Sequence, residues 1–290
     1  MKDVLIFSFL FILLTGCDTS EPIESNDALL PKKIKTEQSY NGEPLYDYTH
    51  ITTFEYDGYN RPVNILREYY RRLKTETADK NILQHIISTK LQYSLIEDFV
   101  TQTDIIKSRI SDGYDTHTET RVYNITSGGD NKIEITLDGK FKETIDLSKG
   151  LAVKYNRVVY SDIPEEKIFN YTEEYKYNSE GDISEYIHTQ EEYSRTEKYS
   201  YDGYNGVYKH MNIPQWLFIA LLGSEGRIHN IKEISTLHNN KFTLYGNNIN
   251  KYNSSGYVKE REFRPNSQLD GASSSKTTYE YIDAIIYKLD

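Results

Sequence analysis

Residues 175–183 read Tyr-Lys-Tyr-Asn-Ser-Glu-Gly-Asp-Ile, and this stretch decides how the rest of the chain is interpreted. A three-residue hairpin loop is usually a type I turn followed by one residue with positive φ, which glycine adopts freely. With residues 179–181 as the loop, Asn178 pairs with Asp182 and Tyr177 pairs with Ile183. An aromatic ring opposite a β-branched side chain is a favourable cross-strand pair. The stretch therefore predicts a tight antiparallel hairpin.

The same spacing recurs: Tyr, then Asp or Asn, two further residues, then Gly or Asn. It begins again at Tyr56, Tyr201 and Tyr252, and the last copy predicts that Tyr252 pairs with Val258. The intervals between copies are unequal, which excludes a solenoid or a propeller. The chain is therefore predicted to be mainly β, a curved or partly closed antiparallel meander of Tyr-rich hairpins with one or two short helices.

The stretch at 175–183 resembles the YD-type repeats of bacterial surface proteins. It is more similar to Tyr-rich β-strand-repeat lipoproteins of Bacteroidota, and residues 201–208, 213–216 and 229–231 carry the same likeness. The Arg-Leu pair that usually follows the glycine of YD repeats is absent, so the likeness does not extend to a long repeat shell. The resemblance covers the C-terminal part of the chain and implies no catalytic activity.

The N-terminus predicts where the protein resides. Lys2 precedes an apolar run at residues 4–14 that is too short for a membrane-spanning helix, which needs about 20 residues. The run ends in Leu14-Thr15-Gly16-Cys17, which resembles the lipobox of bacterial lipoproteins. The resemblance implies cleavage before Cys17 and lipid attachment to its thiol. We therefore expect a protein anchored by lipid in the outer membrane, on the periplasmic side or at the cell surface.

Composition divides the whole chain into three segments. Residues 1–16 are predicted to be a signal peptide, residues 17–44 a lipidated flexible tether, and residues 45–290 one Tyr-rich β domain. The 27 tyrosines supply buried ring area to a chain that is only 37% hydrophobic. A net charge of −10 excludes a nucleic-acid partner, which requires a basic surface.

Two further elements can be interpreted. Ile133, Ile135 and Leu137 alternate along one strand, and a three-residue loop at 138–140 would set Leu137 opposite Phe141 and Ile133 opposite Ile145. Residues 81–89 have apolar residues at helical spacing, but a strand pattern follows at once, so helix and strand both stay open.

A helix is predicted at residues 214–222. Pro214 suits a first helical turn, and Gly223 suits a stop. Since this segment is apolar on all sides, it must be buried, and we expect it to pack on the concave face of the sheet or to plug one end.

Catalytic signatures are missing from the sequence: it has no His-Glu-x-x-His, no Gly-x-Ser-x-Gly, no phosphate loop and no dinucleotide fingerprint. We predict no enzyme, no cofactor and no metal. The first hypothesis is a non-enzymatic cell-envelope module that binds or scaffolds a protein or glycan partner. The alternatives are a periplasmic carrier of an apolar ligand in a concavity near Trp216, and a hydrolase of unrecognised type. The residues predicted to contact a ligand or partner are Trp216, Phe218, Tyr201, Tyr204 and Tyr208.

Overall fold

The computed structural model describes residues 28–40, 46–75, 81–94, 100–109, 116–129, 131–137, 141–160, 167–223, 226–266 and 273–285. Within these ranges, sixteen strands form a closed antiparallel barrel with one helix. The predicted signal peptide and the lipidation site Cys17 lie outside the described residues. The elements are β1 (Leu29–Tyr40), β2 (Tyr46–Tyr56), β3 (Pro62–Leu73), β4 (Ile82–Tyr93), β5 (Val100–Arg109), β6 (Thr116–Ser127), β7 (Lys132–Leu137), β8 (Phe141–Ser148), β9 (Leu151–Tyr160), β10 (Lys167–Tyr177), β11 (Ile183–Gln190), β12 (Tyr193–Asn205), α1 (Gln215–Leu222), β13 (His229–His238), β14 (Lys241–Tyr252), β15 (Val258–Pro265) and β16 (Ser273–Asp283).

Every strand pairs with the strands before and after it in the chain, and β1 closes the barrel against β16. The closing register runs from Leu29 opposite Asp283 to Tyr40 opposite Ser273. The predicted antiparallel meander is confirmed, and its closure is complete. Closure leaves no strand edge with unpaired backbone groups, which removes a route to aggregation.

The predicted tether at residues 17–44 requires correction. Residues 29–40 form β1, so the β domain begins before residue 45. Ile34 and Thr36 face the barrel interior, the lumen, while Lys33 and Lys35 face outward, which is the alternation of a half-buried strand. Pro31 lies where the pairing of β1 with β16 shifts register, at the kind of irregularity that tolerates a proline.

Three copies of the Tyr-containing pattern form the predicted turn. Tyr177 pairs with Ile183, Tyr252 pairs with Val258, and Tyr56 pairs with Pro62 across the first copy. The final turn residues all have positive φ, with values of 61° at Asn60, 93° at Gly181 and 75° at Gly256. The residue after each tyrosine fixes the loop, because its side-chain oxygen accepts two backbone N–H groups. These oxygens belong to Asp57 (from Tyr59 and Arg61), Asn178 (from Glu180 and Asp182) and Asn253 (from Ser255 and Tyr257).

The turn predicted at Tyr201 to Asn205 is wrong, because this copy lies inside β12. Asp202 accepts a backbone hydrogen bond from Tyr204 at 3.1 Å, as in a turn, but its other carboxylate oxygen bonds to Asn250 at 3.0 Å and to Tyr252. These distant partners hold the segment as an irregularity in the pairing of β12 with β13 instead of a reversal.

Three further sequence predictions are tested by the structure. Ile133 pairs with Ile145 and Leu137 with Phe141, so the predicted register of β7 and β8 is confirmed. Residues 82–93 form β4, which settles the ambiguity in favour of a strand. The predicted helix is confirmed as α1, with Pro214 directly before it and Gly223 (φ 71°) ending it. No helix in the described ranges combines the length and the apolar character that crossing a bilayer requires.

The two ends of the barrel differ. Residues 28 and 285 lie at one end, which we call the closed end, together with the three Tyr-containing turns and the β12–β13 connection. Residues 206–223 of this connection enter the lumen, where Val207, Tyr208, Met211 and Leu217 are buried in the core. We call residues 206–223 the plug. The opposite end, the far end, carries the β11–β12 and β13–β14 turns.

Tyrosine hydroxyls reinforce the closed end in a repeated way. In five places, a tyrosine at or near the end of an even-numbered strand donates to a main-chain carbonyl near the start of the preceding odd-numbered strand. We call these contacts the tyrosine latches. They join Tyr56 to Pro31 (2.8 Å), Tyr93 to Pro62 (2.9 Å), Tyr177 to Ala152 (2.6 Å), Tyr201 to Ile183 (2.6 Å) and Tyr281 to Val258 (2.7 Å).

Candidate functional site

The strand register divides the side chains into two sets. On β10, Tyr171, Glu173 and Tyr175 face the lumen, whereas Glu174 and Lys176 face outward. Because residues that are directly opposite across strands share a face, this assignment can be carried around the whole barrel. It shows that the lumen is lined by aromatic and ionisable residues in addition to the apolar core near the plug.

Strands β5 to β12 carry a band of carboxylates, tyrosines and arginines on the lumen side, which we call the inner belt. Its members combine hydrogen-bond donors, hydrogen-bond acceptors and flat aromatic rings on a single wall. They are Asp104, Arg121, Tyr123, Glu143, Tyr155, Arg157, Tyr171, Glu173, Tyr175, Tyr186, His188, Arg195, Glu197 and Tyr199.

Phenol groups hold the carboxylates of the inner belt in place. Burial raises the pKa of Tyr123, Tyr175 and Tyr186, so these hydroxyls stay protonated at neutral pH and donate to the carboxylates. A hydrogen bond to a charged acceptor is stronger than one between neutral groups. The donor–acceptor pairs are Tyr123 to Asp104 (2.9 Å), Tyr186 to Glu173 (2.7 Å), Tyr175 to Glu173, and Tyr199 to Glu197 (2.5 Å).

Arginines balance two carboxylates of the inner belt. Arg157 Nε lies 3.2 Å from Glu143 Oε1, and Arg195 pairs with Glu197. Burial raises the pKa of the Glu143 carboxyl, and the neighbouring Arg157 opposes that rise. Each of the four carboxylates therefore has an arginine or a phenol as partner, which limits the desolvation cost of placing it in the lumen.

A cavity of about 370 Å³ lies between the inner belt and the plug. Residues 219–221 and Gly223 form its floor, and lumen-facing residues of the strands from β3 to β10 line its walls. Arg67 connects the plug to the barrel wall. Its Nη2 donates to the carbonyl oxygen of Leu221 at 2.9 Å, and its Nη1 donates to Thr89 Oγ1 at 3.3 Å. The volume is within the range of small-molecule pockets.

A second cavity of about 200 Å³ adjoins it beside β1 to β3, and Arg67 and Tyr69 border both. The Tyr69 ring stacks on His85 at 4.1 Å and meets the edge of His50 at 4.8 Å. Burial lowers the pKa of both imidazoles. This wall is therefore uncharged at neutral pH apart from Arg67.

Exposure to solvent is uneven within the inner belt. Arg121 and Arg195 each expose 37% of their side chains, whereas Glu143 exposes 9% and Glu197 10%. Among the described residues, the plug fills the lumen at the closed end.

The five residues predicted to contact a ligand or partner do not come together on one surface. Trp216 and Phe218 are buried in the plug, where Phe218 contacts the ring of Tyr208 at 5.3 Å. Tyr201 makes a tyrosine latch, and Tyr204 stacks on Tyr252 at 4.0 Å. Of the five, Tyr208 borders the smaller cavity. Ligand contact by all five stays a prediction.

One group of metal-ligating side chains, which sequence reasoning did not identify, occurs among the described residues: Glu180, Asp182 and His229. Asp182 accepts the backbone N–H groups of Ile228 at 3.1 Å and His229 at 3.2 Å, and its second oxygen lies 2.7 Å from His229 Nδ1. Both oxygens of this carboxylate therefore already bind the start of β13. We assign the group a structural role in joining the β10–β11 turn to that strand.

The inner belt was also missed from the sequence, although part of its signal is visible there. Glu173 and Tyr175, like Glu197 and Tyr199, are two residues apart and must share a strand face. Carboxylate and phenol on one face are typical of a buried polar network. The hydrogen bond between Tyr123 and Asp104 could be identified only from the structure, because the two residues lie on different strands.

Comparisons with known proteins reveal likeness at the level of the fold. No family model and no curated protein matches the chain. A porin-like protein from Bacteroides uniformis has 10% sequence identity and a TM-score of 0.43, with 87% of this chain and 98% of that chain covered. A porin-like protein from Bacteroides vulgatus has 11% identity and a TM-score of 0.37, with 88% and 99% covered. We therefore base the functional argument on the geometry of the chain itself.

Proposed function

We propose that this protein is a lipid-anchored envelope module whose barrel stands in water and receives a polar ligand in its lumen. The observation that carries the proposal is the distribution of charge. Both faces of the barrel wall carry polar and ionised groups, and the plug fills the lumen at the closed end. The lipobox-like tetrad ending at Cys17 supports anchoring by lipid instead of by the strands.

The outer face of the barrel is unsuited to lipid. Lys35, Glu68 and Lys198 lie near the middle of their strands and face outward. A Lys or Arg facing lipid at the bilayer midplane costs about 2–4 kcal/mol, and this barrel carries such groups on most of its strands. Cross-strand ion pairs cover the same face, including Lys142–Glu134 (3.1 Å), Lys154–Glu174 (3.5 Å), Lys251–Glu260 (2.6 Å) and Lys276–Glu260 (3.0 Å).

The lumen favours a polar ligand over an apolar one. The carrier hypothesis needs an apolar concavity beside the helix, but the cavity there is lined by Asp104, Glu143, Arg157 and Glu173 as well as by Ile219. An apolar ligand would remove these groups from water without satisfying them. Binding without catalysis is the simplest use of carboxylates that already accept hydrogen bonds from tyrosines.

Phase separation in a cloud-point detergent tests the water-facing barrel. We expect the lipidated chain to enter the detergent phase and the Cys17→Ser chain to stay in the aqueous phase. Partition of Cys17→Ser into detergent, in a chain whose N-terminal peptide mass shows that residues 1–16 have been removed, would show that the barrel itself binds lipid and would contradict the proposal. The mass of the N-terminal peptide checks lipid attachment directly.

Thiol labelling tests access to the lumen. Cys17 is the only cysteine in the chain. Once its thiol is lipidated, a cysteine introduced into the barrel is the only thiol that the label can modify. We expect Arg195→Cys, which places the thiol in the lumen, to react with a membrane-impermeant maleimide. Ser200→Cys, on the outer face of the same strand, is the matched control. Labelling of the control without labelling of Arg195→Cys would exclude a lumen site.

A further inference from the structure

The larger cavity places hydrogen-bond donors and acceptors close together. Its acceptors are the carboxylates of Asp104, Glu143 and Glu173, and its charged donors are Arg67 and Arg157. All five project from the wall directly above the C-terminal end of α1. A ligand in this cavity therefore needs groups that both accept and donate hydrogen bonds over a short distance.

Aromatic rings border the same space on two walls. The rings of Tyr155 and Tyr171 lie 5.9 Å apart at an angle of 37°, and Tyr69 stands on the wall formed by β3. Aromatic ring faces carry partial negative charge and attract the weakly positive C–H edges of a ligand. Residues 219–221 add an apolar floor.

The charged groups of the cavity are already matched within the protein. Each carboxylate already accepts from a protein donor: Glu143 pairs with Arg157 at 3.2 Å, Asp104 accepts from Tyr123 at 2.9 Å and Glu173 accepts from Tyr186 at 2.7 Å. A cation would therefore have to displace these donors. An anion would also meet three carboxylates at short range.

We propose that this cavity binds a neutral oligosaccharide, an inference that rests on the lumen being the ligand site. A sugar hydroxyl donates one hydrogen bond and accepts others, so it can bridge a carboxylate and an arginine without a change in charge. The C–H face of a pyranose ring packs on a tyrosine ring, and its edge hydroxyls reach the charged groups. The inner belt supplies both kinds of contact on one wall.

Calorimetric titration of the full lipidated chain tests the proposal in a polyoxyethylene detergent, which contains no sugar that could compete. The probes are tetrasaccharides of β-1,4-glucose, α-1,4-glucose and β-1,4-mannose, with tetragalacturonate as the charged comparison. We expect at least one neutral probe to bind and tetragalacturonate to bind more weakly. Tighter binding of tetragalacturonate, or no binding of any neutral probe, would overturn the inference.

Two neighbouring tyrosines provide a matched pair of variants. Tyr69 faces the lumen, whereas Tyr70 faces outward and donates to Glu68 at 3.0 Å. We expect Tyr69→Leu to weaken binding of the neutral probe about five- to tenfold through loss of the ring, and Tyr70→Leu to leave it unchanged. Equal effects of the two variants would contradict a lumen site for the sugar.

Two controls distinguish a loss of sugar binding from a failure of the variant to fold and from a lumen that the probe cannot enter. Denaturation midpoints of both variants establish that they fold, and Tyr171→Phe, which removes only a hydroxyl, replaces Tyr69→Leu if that variant does not. If Arg195→Cys is labelled but the unsubstituted chain binds no neutral probe, the saccharide inference is overturned and the proposed function is intact. An unlabelled Arg195→Cys chain overturns both.

Discussion

The hydroxyl of Tyr201, near the end of β12, donates to the main-chain carbonyl oxygen of Ile183, at the start of β11, over 2.6 Å. The same contact occurs on four other strand pairs at the closed end. The tyrosine ring fills the lumen while its hydroxyl satisfies a backbone acceptor, so one residue type supplies both packing and polar pairing. This explains much of the tyrosine content near the plug.

We expect Tyr201→Phe to lower the free energy of unfolding by about 1 kcal/mol, because it leaves a partly buried carbonyl without its donor and keeps the ring. Chemical denaturation measures the change. Tyr193→Phe is the control, because Tyr193 is 57% exposed, and we expect a change within about 0.5 kcal/mol there. Equal losses in the two variants would show that the latch adds no stability.

Each of the three Tyr-containing turns depends on one side-chain oxygen of its Asp or Asn residue. Asn253 Oδ1 accepts the backbone N–H groups of Ser255 at 3.0 Å and Tyr257 at 2.9 Å. Asn253→Ala removes both bonds, so we expect a loss of about 1–2 kcal/mol in unfolding free energy. Asn253→Asp keeps the acceptor, as Asp57 does in the first copy of the turn, and we expect it to retain most of the stability. If Asn253→Asp lost as much unfolding free energy as Asn253→Ala, the side-chain oxygen would not be the group that fixes the turn.

The plug is held by burial. Leu217 has no exposed surface, so Leu217→Ala leaves a cavity in the core. We expect a loss of about 2–5 kcal/mol in unfolding free energy. Leu237→Ala, at a position that is 38% exposed on the outer face, is the matched control and is expected to change stability by less than about 0.5 kcal/mol. A small effect at Leu217 would mean that the plug does not contribute to the core.

Stability is expected to fall in mild acid because of His50 and His85. Burial lowers the pKa of both imidazoles below the ordinary value of 6.5, so in this range the unfolded chain binds more protons than the folded one. Their stabilising contribution is therefore complete above pH 6.5 and is lost as the pH falls through the folded-state pKa values. Denaturation midpoints at about pH 7.5 and about pH 5.5 measure the loss. We expect the double variant His50→Gln, His85→Gln to show a smaller loss, and an unchanged loss would assign the pH dependence to other groups.

Local pattern predicted local structure well. The turns at Tyr177 and Tyr252 follow from the positive φ that glycine tolerates, and the register of β7 against β8 follows from side-chain alternation alone. The copy at Tyr201 failed, because the partners of Asp202 are about fifty residues away in the chain. No local pattern distinguishes that copy from the others.

Contacts between residues that lie far apart in the chain could not be predicted from the sequence. Closure joins Thr36 to Thr277 through their hydroxyls at 3.0 Å, a contact between the first and last strands that no local pattern encodes. The residues of β1 include three lysines and Pro31, and prolines also lie before and after them at Pro22 and Pro44, which favoured a tether over a strand. The inner belt was hidden for the same reason, because Asp104 and Tyr123 meet only once β5 and β6 are paired.

The first and last strands are also joined beyond their paired residues at the closed end, where the backbone N–H of Ala284 donates to the carbonyl oxygen of Ala28 at 2.8 Å. Ala28 is the eleventh residue after Cys17, a length that reaches at most about 40 Å when fully extended. With lipid on Cys17, as proposed, the anchor approaches the barrel from its closed end, so the base of the barrel stays within about 40 Å of the lipidated residue.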